Sequence, residues 1–153
     1  MEQLTEHIRQ VLAQSVAGLK GFTITGAIVF GSVARGAQSK DSDADLLAVA
    51  ESLHPRRNRR GAPIAQIKSL FPKIPLDVLL LTQEEVFSNF RNHNPLFLDI
   101  AEEGIIILDK DDFLKDLISE AKIYIRTRGI KRFGDGWVFP VKKGVAVPLS
   151  GVT

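Results

Sequence analysis

The chain has 153 residues, 44% hydrophobic and 25% charged, with a net charge of +2. That length suits one domain with its own core, and the composition is that of an ordinary globular protein. With no cysteine, disulfides, thiolate metal sites and cysteine nucleophiles are excluded; with no apolar run of membrane-spanning length and no basic signal-peptide start, a cytoplasmic location without membrane association is expected.

In chain order, Leu4, Ile8, Val11 and Leu12 make a helical stripe. Ala27-Ile28-Val29-Phe30 reads as a short buried strand that stops at Gly31. Gly31 lets the backbone turn closely around a ligand, and Ser32 is a favoured cap for a short helix beginning there. Free N–H groups at such a turn make an anion site; an ordinary strand-to-helix turn is the competing reading. Gly31 and Gly36 have P-loop spacing, but Ala37-Gln38 stand where Lys and Ser/Thr are required, so a Walker-type ATPase is set aside.

Asp41-Ser42-Asp43-Ala44-Asp45 then leads into the apolar run Leu46–Val49. On a strand, Asp43 and Asp45 share a face, where their mutual repulsion is relieved by a cation. Magnesium commonly takes one or two carboxylates together with substrate phosphates. A calcium loop needs Gly and Glu at its sixth and twelfth positions, where this chain has Leu46 and Ser52. Asp77 is the one charge near the start of another apolar run, Pro75–Leu81, which reads as a buried strand, and an unpartnered aspartate there is costly. If that strand lies beside the one carrying Asp43 and Asp45, the three carboxylates meet at one metal cluster.

The remaining elements follow from pattern. His54–Arg60 is a polar connection whose basic cluster, Arg56 to Arg60, is expected to be a solvated loop with phosphate or an acidic protein as alternative partners. Pro63 fits the first turn of a helix carrying Ile64, Ile67, Leu70 and Phe71. Thr82-x-x-Glu85 is a capping box, and Asn94-Pro95 starts a further helix that Gly104 stops before the strand Ile105–Leu108. Leu114, Leu117, Ile118, Ala121 and Ile125 describe a last amphipathic helix ending near Gly129. His7, His54 and His93 show no metal-ligand spacing and are expected on surfaces or loops. Strands alternating with helices indicate an α/β sheet.

Gly31-Ser32, ten residues, Asp43-x-Asp45 and a later Asp77 on an apolar strand together resemble the nucleotidyltransferase superfamily that includes DNA polymerase β. The fuller string Gly-Ser-Val-Ala-Arg-Gly … Ser-Asp-Ala-Asp-Leu is most similar to its minimal members, many of which are antitoxins of HEPN-domain toxins. The resemblance spans residues 1–125 in element order. It implies a single-domain polymerase β-like fold, with a mixed sheet flanked by helices, over residues 1–128, followed by a tail or arm, 129–153.

The resemblance also implies roles. Gly31 and Ser32 would hold the triphosphate, with Arg35 and Ser42 as further nucleotide contacts; a solvated Arg35 and a Ser42 that only caps the turn are the alternatives. Asp43, Asp45 and Asp77 would be the catalytic residues and the ligands of two Mg2+ ions, with Asp77 also the candidate base. The implied reaction is transfer of AMP from ATP to an acceptor hydroxyl. The chain has little room for an acceptor-gripping domain, and the antitoxin analogy supplies a tyrosine of a partner HEPN toxin. Alternatives are a small-molecule transferase of the aminoglycoside type, or a non-catalytic module binding a partner or nucleic acid. The glycine- and proline-rich tail sets Phe133, Trp137 and Phe139 among basic residues; packing on this domain or a partner is expected ahead of nucleic-acid binding.

Overall fold

The computed structural model describes residues 2–35, 43–133, 136–140 and 146–148. Helix α1 (Glu2–Ser15) leads to strand β1 (Thr23–Phe30), the short helix α2 (Ser32–Arg35) and strand β2 (Ala44–Glu51). Helix α3 (Gly61–Ser69), strand β3 (Leu76–Leu81), helices α4 (Gln83–Arg91) and α5 (Pro95–Glu103), strand β4 (Ile105–Asp109) and helix α6 (Phe113–Thr127) follow. Every element foreseen from the apolar pattern is present. The capping box forms: the Glu85 amide donates to the Thr82 hydroxyl at 3.2 Å, and the Thr82 amide to the Glu85 carboxylate at 2.8 Å. Asn94 caps α5, accepting from the Leu96 amide at 3.0 Å, with Pro95 just inside.

The sheet is mixed, in the order β3-β2-β1-β4; β2 and β3 run parallel and the other pairs antiparallel. Alternation along the strands divides the core in two. Ala27, Val29, Leu46, Ala48 and Leu80 face α1, α2 and α3, where Ile8, Leu12, Val33, Ile67 and Phe71 are buried. Ile28, Leu47, Val49 and Leu81 face α4, α5 and α6, meeting Val86, Phe90, Phe97, Ile100, Leu114 and Leu117. Gly104 leaves α5 where the chain presses on β1: a Cβ there would lie 2.5 Å from the Ile100 carbonyl and 2.8 Å from Ile28 Cγ2. Among the described residues, no helix is long and apolar enough to cross a membrane.

The basic connection after β2 departs from the expected solvated loop. Arg56, Arg57 and Arg59 are exposed, but Arg60 is only 1% exposed. Its guanidinium grips both Glu85 oxygens at 2.7 and 3.3 Å, and also donates to the carbonyls of His54 (2.7 Å) and Leu80 (3.1 Å). A buried guanidinium is tolerable only with its donors satisfied, and here one side chain ties the loop, the end of β3 and the cap of α4 together.

The tail also packs. Strands β5 (Lys131–Phe133), β6 (Gly136–Pro140) and β7 (Ala146–Pro148) form an antiparallel meander. Trp137 is buried with Leu98, Ile125 and Ile130, and its indole N–H donates to Asp99 at 2.8 Å. Arg132 bridges Asp99 and Glu103 at 2.9 and 3.0 Å.

Three outcomes follow for stability. Gly104→Ala is expected to cost about 1–3 kcal/mol in chemical denaturation, because the obstacle is backbone and a packed strand side chain. Gly61→Ala, at an open helix start with nothing within 4 Å, is expected to be neutral or stabilising by up to about 1 kcal/mol. Burial raises the Glu85 carboxyl, but hydrogen bonds from Arg60 and Thr82 and the Arg60 charge outweigh it, leaving it below its ordinary 4.5. A carboxyl lowered on folding adds stability that is full above the unfolded value and is lost as pH falls through the folded one. Unfolding midpoints of Glu85→Gln are therefore expected to change less than those of the parent as pH drops below 4.5.

Candidate active site

The strand register composes the site. On the face covered by α4 to α6, successive rows run across β1, β2 and β3: Gly26–Val49–Leu81, then Ile28–Leu47–Leu79, then Phe30–Asp45–Asp77. The first two rows carry core residues; the third, at the end of the sheet, puts two carboxylates side by side. Asp43 stands just before β2, two residues from Asp45, and is exposed. The start of β2 is fixed by its neighbour, since the Ala44 amide donates to the Pro75 carbonyl at 2.9 Å.

Asp77 differs from its expected setting. Its strand is an edge of the sheet, and its side chain is exposed, with the burial of β3 concentrated at Leu76, Leu80 and Leu81. The aspartate thus needs no buried partner to be tolerated; the strand does lie beside β2, as the argument from Asp77 required. Among the described residues, no three aspartate, glutamate or histidine side chains group closely enough to hold an ion. The register aligns Asp45 with Asp77 without closing the carboxylates around one point.

Gly31 closes the row from the β1 side. Its φ of +76° is left-handed backbone, and a Cβ at this position would collide with the Asp45 carboxylate, whose Cγ would lie 3.2 Å away. The turn thus wraps directly onto a candidate ligand, which only glycine permits. Beyond it, Val33 is 2% exposed in the core beneath α1, pinning α2 to the sheet. For Ser32 and Arg35 the backbone alone is described, as the first and last residues of α2; Ser42 lies outside the described residues. Of the histidines, His7 and His54 are exposed, and His93 is half-buried against Tyr124.

The donor set suits magnesium, since the candidates are carboxylate oxygens and a hard cation prefers oxygen ligands. The glycine turn against Asp45 also leaves backbone, not side chain, beside the ligand. Sequence reasoning did not foresee Phe30 as part of this row; the register, unreadable from one strand alone, places it opposite Asp45.

A family model described as a nucleotidyltransferase domain matches residues 10–125. The chain is 29% identical over 126 residues to the Methanocaldococcus jannaschii protein named "Putative protein adenylyltransferase MJ1305", covering 82% of this chain and 86% of that one. It is also similar to a crystal structure of a toxin-antitoxin with AMP-PNP (15% identity, TM-score 0.48, covering 79% of this chain and 92% of that one). A second likeness is to a chain in the structure of the tri-AMPylated Shewanella oneidensis HEPN toxin in complex with MNT antitoxin (13% identity, TM-score 0.43, covering 84% of this chain and 93% of that one). Because the family match runs from α1 into α6, through every strand that carries a candidate carboxylate, the chain belongs to the nucleotidyltransferase domain family and is a nucleotidyltransferase.

Proposed function

We propose that this nucleotidyltransferase moves AMP from ATP to a hydroxyl of a protein, a tyrosine of a HEPN-type toxin, and so acts as the antitoxin of that pair. The observation that carries the reaction is the row at the end of the sheet, where Asp45 and Asp77 are register partners and Gly31 turns directly against Asp45. AMP and a protein acceptor are supported by the relative named as a protein adenylyltransferase, which aligns over most of both chains. The HEPN partner rests on the motif's resemblance to minimal nucleotidyltransferases.

In this reading Asp43, Asp45 and Asp77 would hold two magnesium ions, which when bound would acidify the acceptor hydroxyl and neutralise the pyrophosphate that leaves as the bond between the α- and β-phosphates breaks. The main-chain N–H groups of the Gly31-Ser32 turn receive phosphate oxygens, with Arg35 and Ser42 as further nucleotide contacts. Asp77, exposed on an edge strand, meets an acceptor arriving from solvent and takes its proton. Phe30 walls the row on the β1 side, and the Ile28–Leu47–Leu79 row beneath fixes the strands that aim the carboxylates.

Purified protein with magnesium and labelled ATP is expected to label a co-purified HEPN partner, with Asp45→Asn lowering the rate about a hundredfold or more. Label on the partner but not on its tyrosine-to-phenylalanine variants would identify the acceptor. A partner left unlabelled by an enzyme that labels other acceptors would refute the antitoxin role. Gly31→Ala is expected to cost about a hundredfold in transfer rate, because the added methyl displaces the Asp45 carboxylate; a rate near that of the parent would show that this turn does not set the site.

A further inference from the structure

A cleft of about 460 Å3 opens between α4 and α6, with Phe90, Arg91, His93, Glu120, Tyr124 and Arg128 in its lining. That is within the size range of small-ligand sites. His93 and Tyr124 stack at its wall, ring centroids 3.6 Å apart and planes inclined by only 12°. His93 holds this position with a left-handed φ of +54°, a conformation that costs a non-glycine residue. Burial, then the positive charges of Arg128 and Arg91, lower the imidazole below its ordinary 6.5, so the ring in the stack is neutral at pH 7.

The two arginines are held by ring faces. Arg91 lies 5.0 Å above the centre of Phe87, and Arg128 lies 5.6 Å from that of Tyr124. Among the described residues neither has a carboxylate partner. Ring contact leaves the in-plane N–H donors of a guanidinium available, the geometry that grips phosphate. Among the described residues, Glu120 is the only carboxylate in the lining.

We propose that this cleft binds a nucleoside phosphate, its base against the His93–Tyr124 stack and its phosphate between Arg91 and Arg128. Flat rings beside arginines suit a base joined to a phosphate, and Glu120 offers an acceptor for a ribose hydroxyl. An acidic peptide would use the arginines but not the rings. The ligand is either a free nucleotide or the terminal unit of an RNA strand.

The residues that line the cleft do not include Asp43, Asp45 or Asp77, so it is tested with that row disabled. In EDTA, with Asp43→Asn/Asp45→Asn as the parent, AMP and a 5′-phosphorylated RNA tetramer are titrated by calorimetry. At least one is expected to bind, and Arg91→Ala/Arg128→Ala added to the parent is expected to weaken it about tenfold or more. Binding of AMP assigns a free nucleotide; binding of the tetramer alone assigns a strand end. Arg91→Lys/Arg128→Lys, which keeps charge but not the fork, is expected to fall between. Failure of both ligands to bind, or equal binding with and without the arginines, overturns the proposal. Either result leaves the transfer reaction to its own assay.

Discussion

The site depends on one constraint, the register in which three strands with two different directions line up. β1 runs against β2 while β3 runs with it, so the end of β1 meets the starts of both its neighbour and the next strand. A strand slipped by one residue would turn its carboxylate to the opposite face. The apolar rows prevent this. Ile28, Leu47 and Leu79 belong on the α4–α6 side, Val29, Leu46 and the small Ala27 and Ala48 on the other, and exchanging the two sets would mispack both layers. Burial along the strands thus sets where two charges stand at their ends.

Around that frame, polar braces act where the apolar core thins. The Arg60–Glu85 grip secures the far end of β3 and the start of α4. Asp99 receives both the Trp137 indole and Arg132, fastening the meander to α5. Neither brace touches the carboxylate row. The first holds α4 and the second α5, two helices whose buried side chains pack on the sheet.

Much of this was legible because its causes are local. Apolar spacing marked the helices, the Thr82/Glu85 pair marked a cap, and Gly31-Ser32 with Asp43, Asp45 and Asp77 marked the family. What stayed hidden depends on partners distant in the chain. Arg60 sits among four arginines, and nothing local separates it from its exposed neighbours; only a glutamate twenty-five residues on makes its burial tolerable. Asp77 read as a charge in a buried strand because the sequence does not show which strand is the edge. The cleft between α4 and α6 was equally unreadable, since His93 and Tyr124 meet only after two helices pack.

Trp137 is the chain's single tryptophan, and it is buried where the meander meets α5 and α6. Its indole therefore gives the protein an intrinsic optical reporter, but a regional one. Emission would follow the opening of the Leu98–Ile125–Ile130 contact, a cluster distinct from the two that flank the sheet. An unfolding curve read by fluorescence and one read by backbone signal would coincide only if the meander and the sheet come apart in one cooperative step.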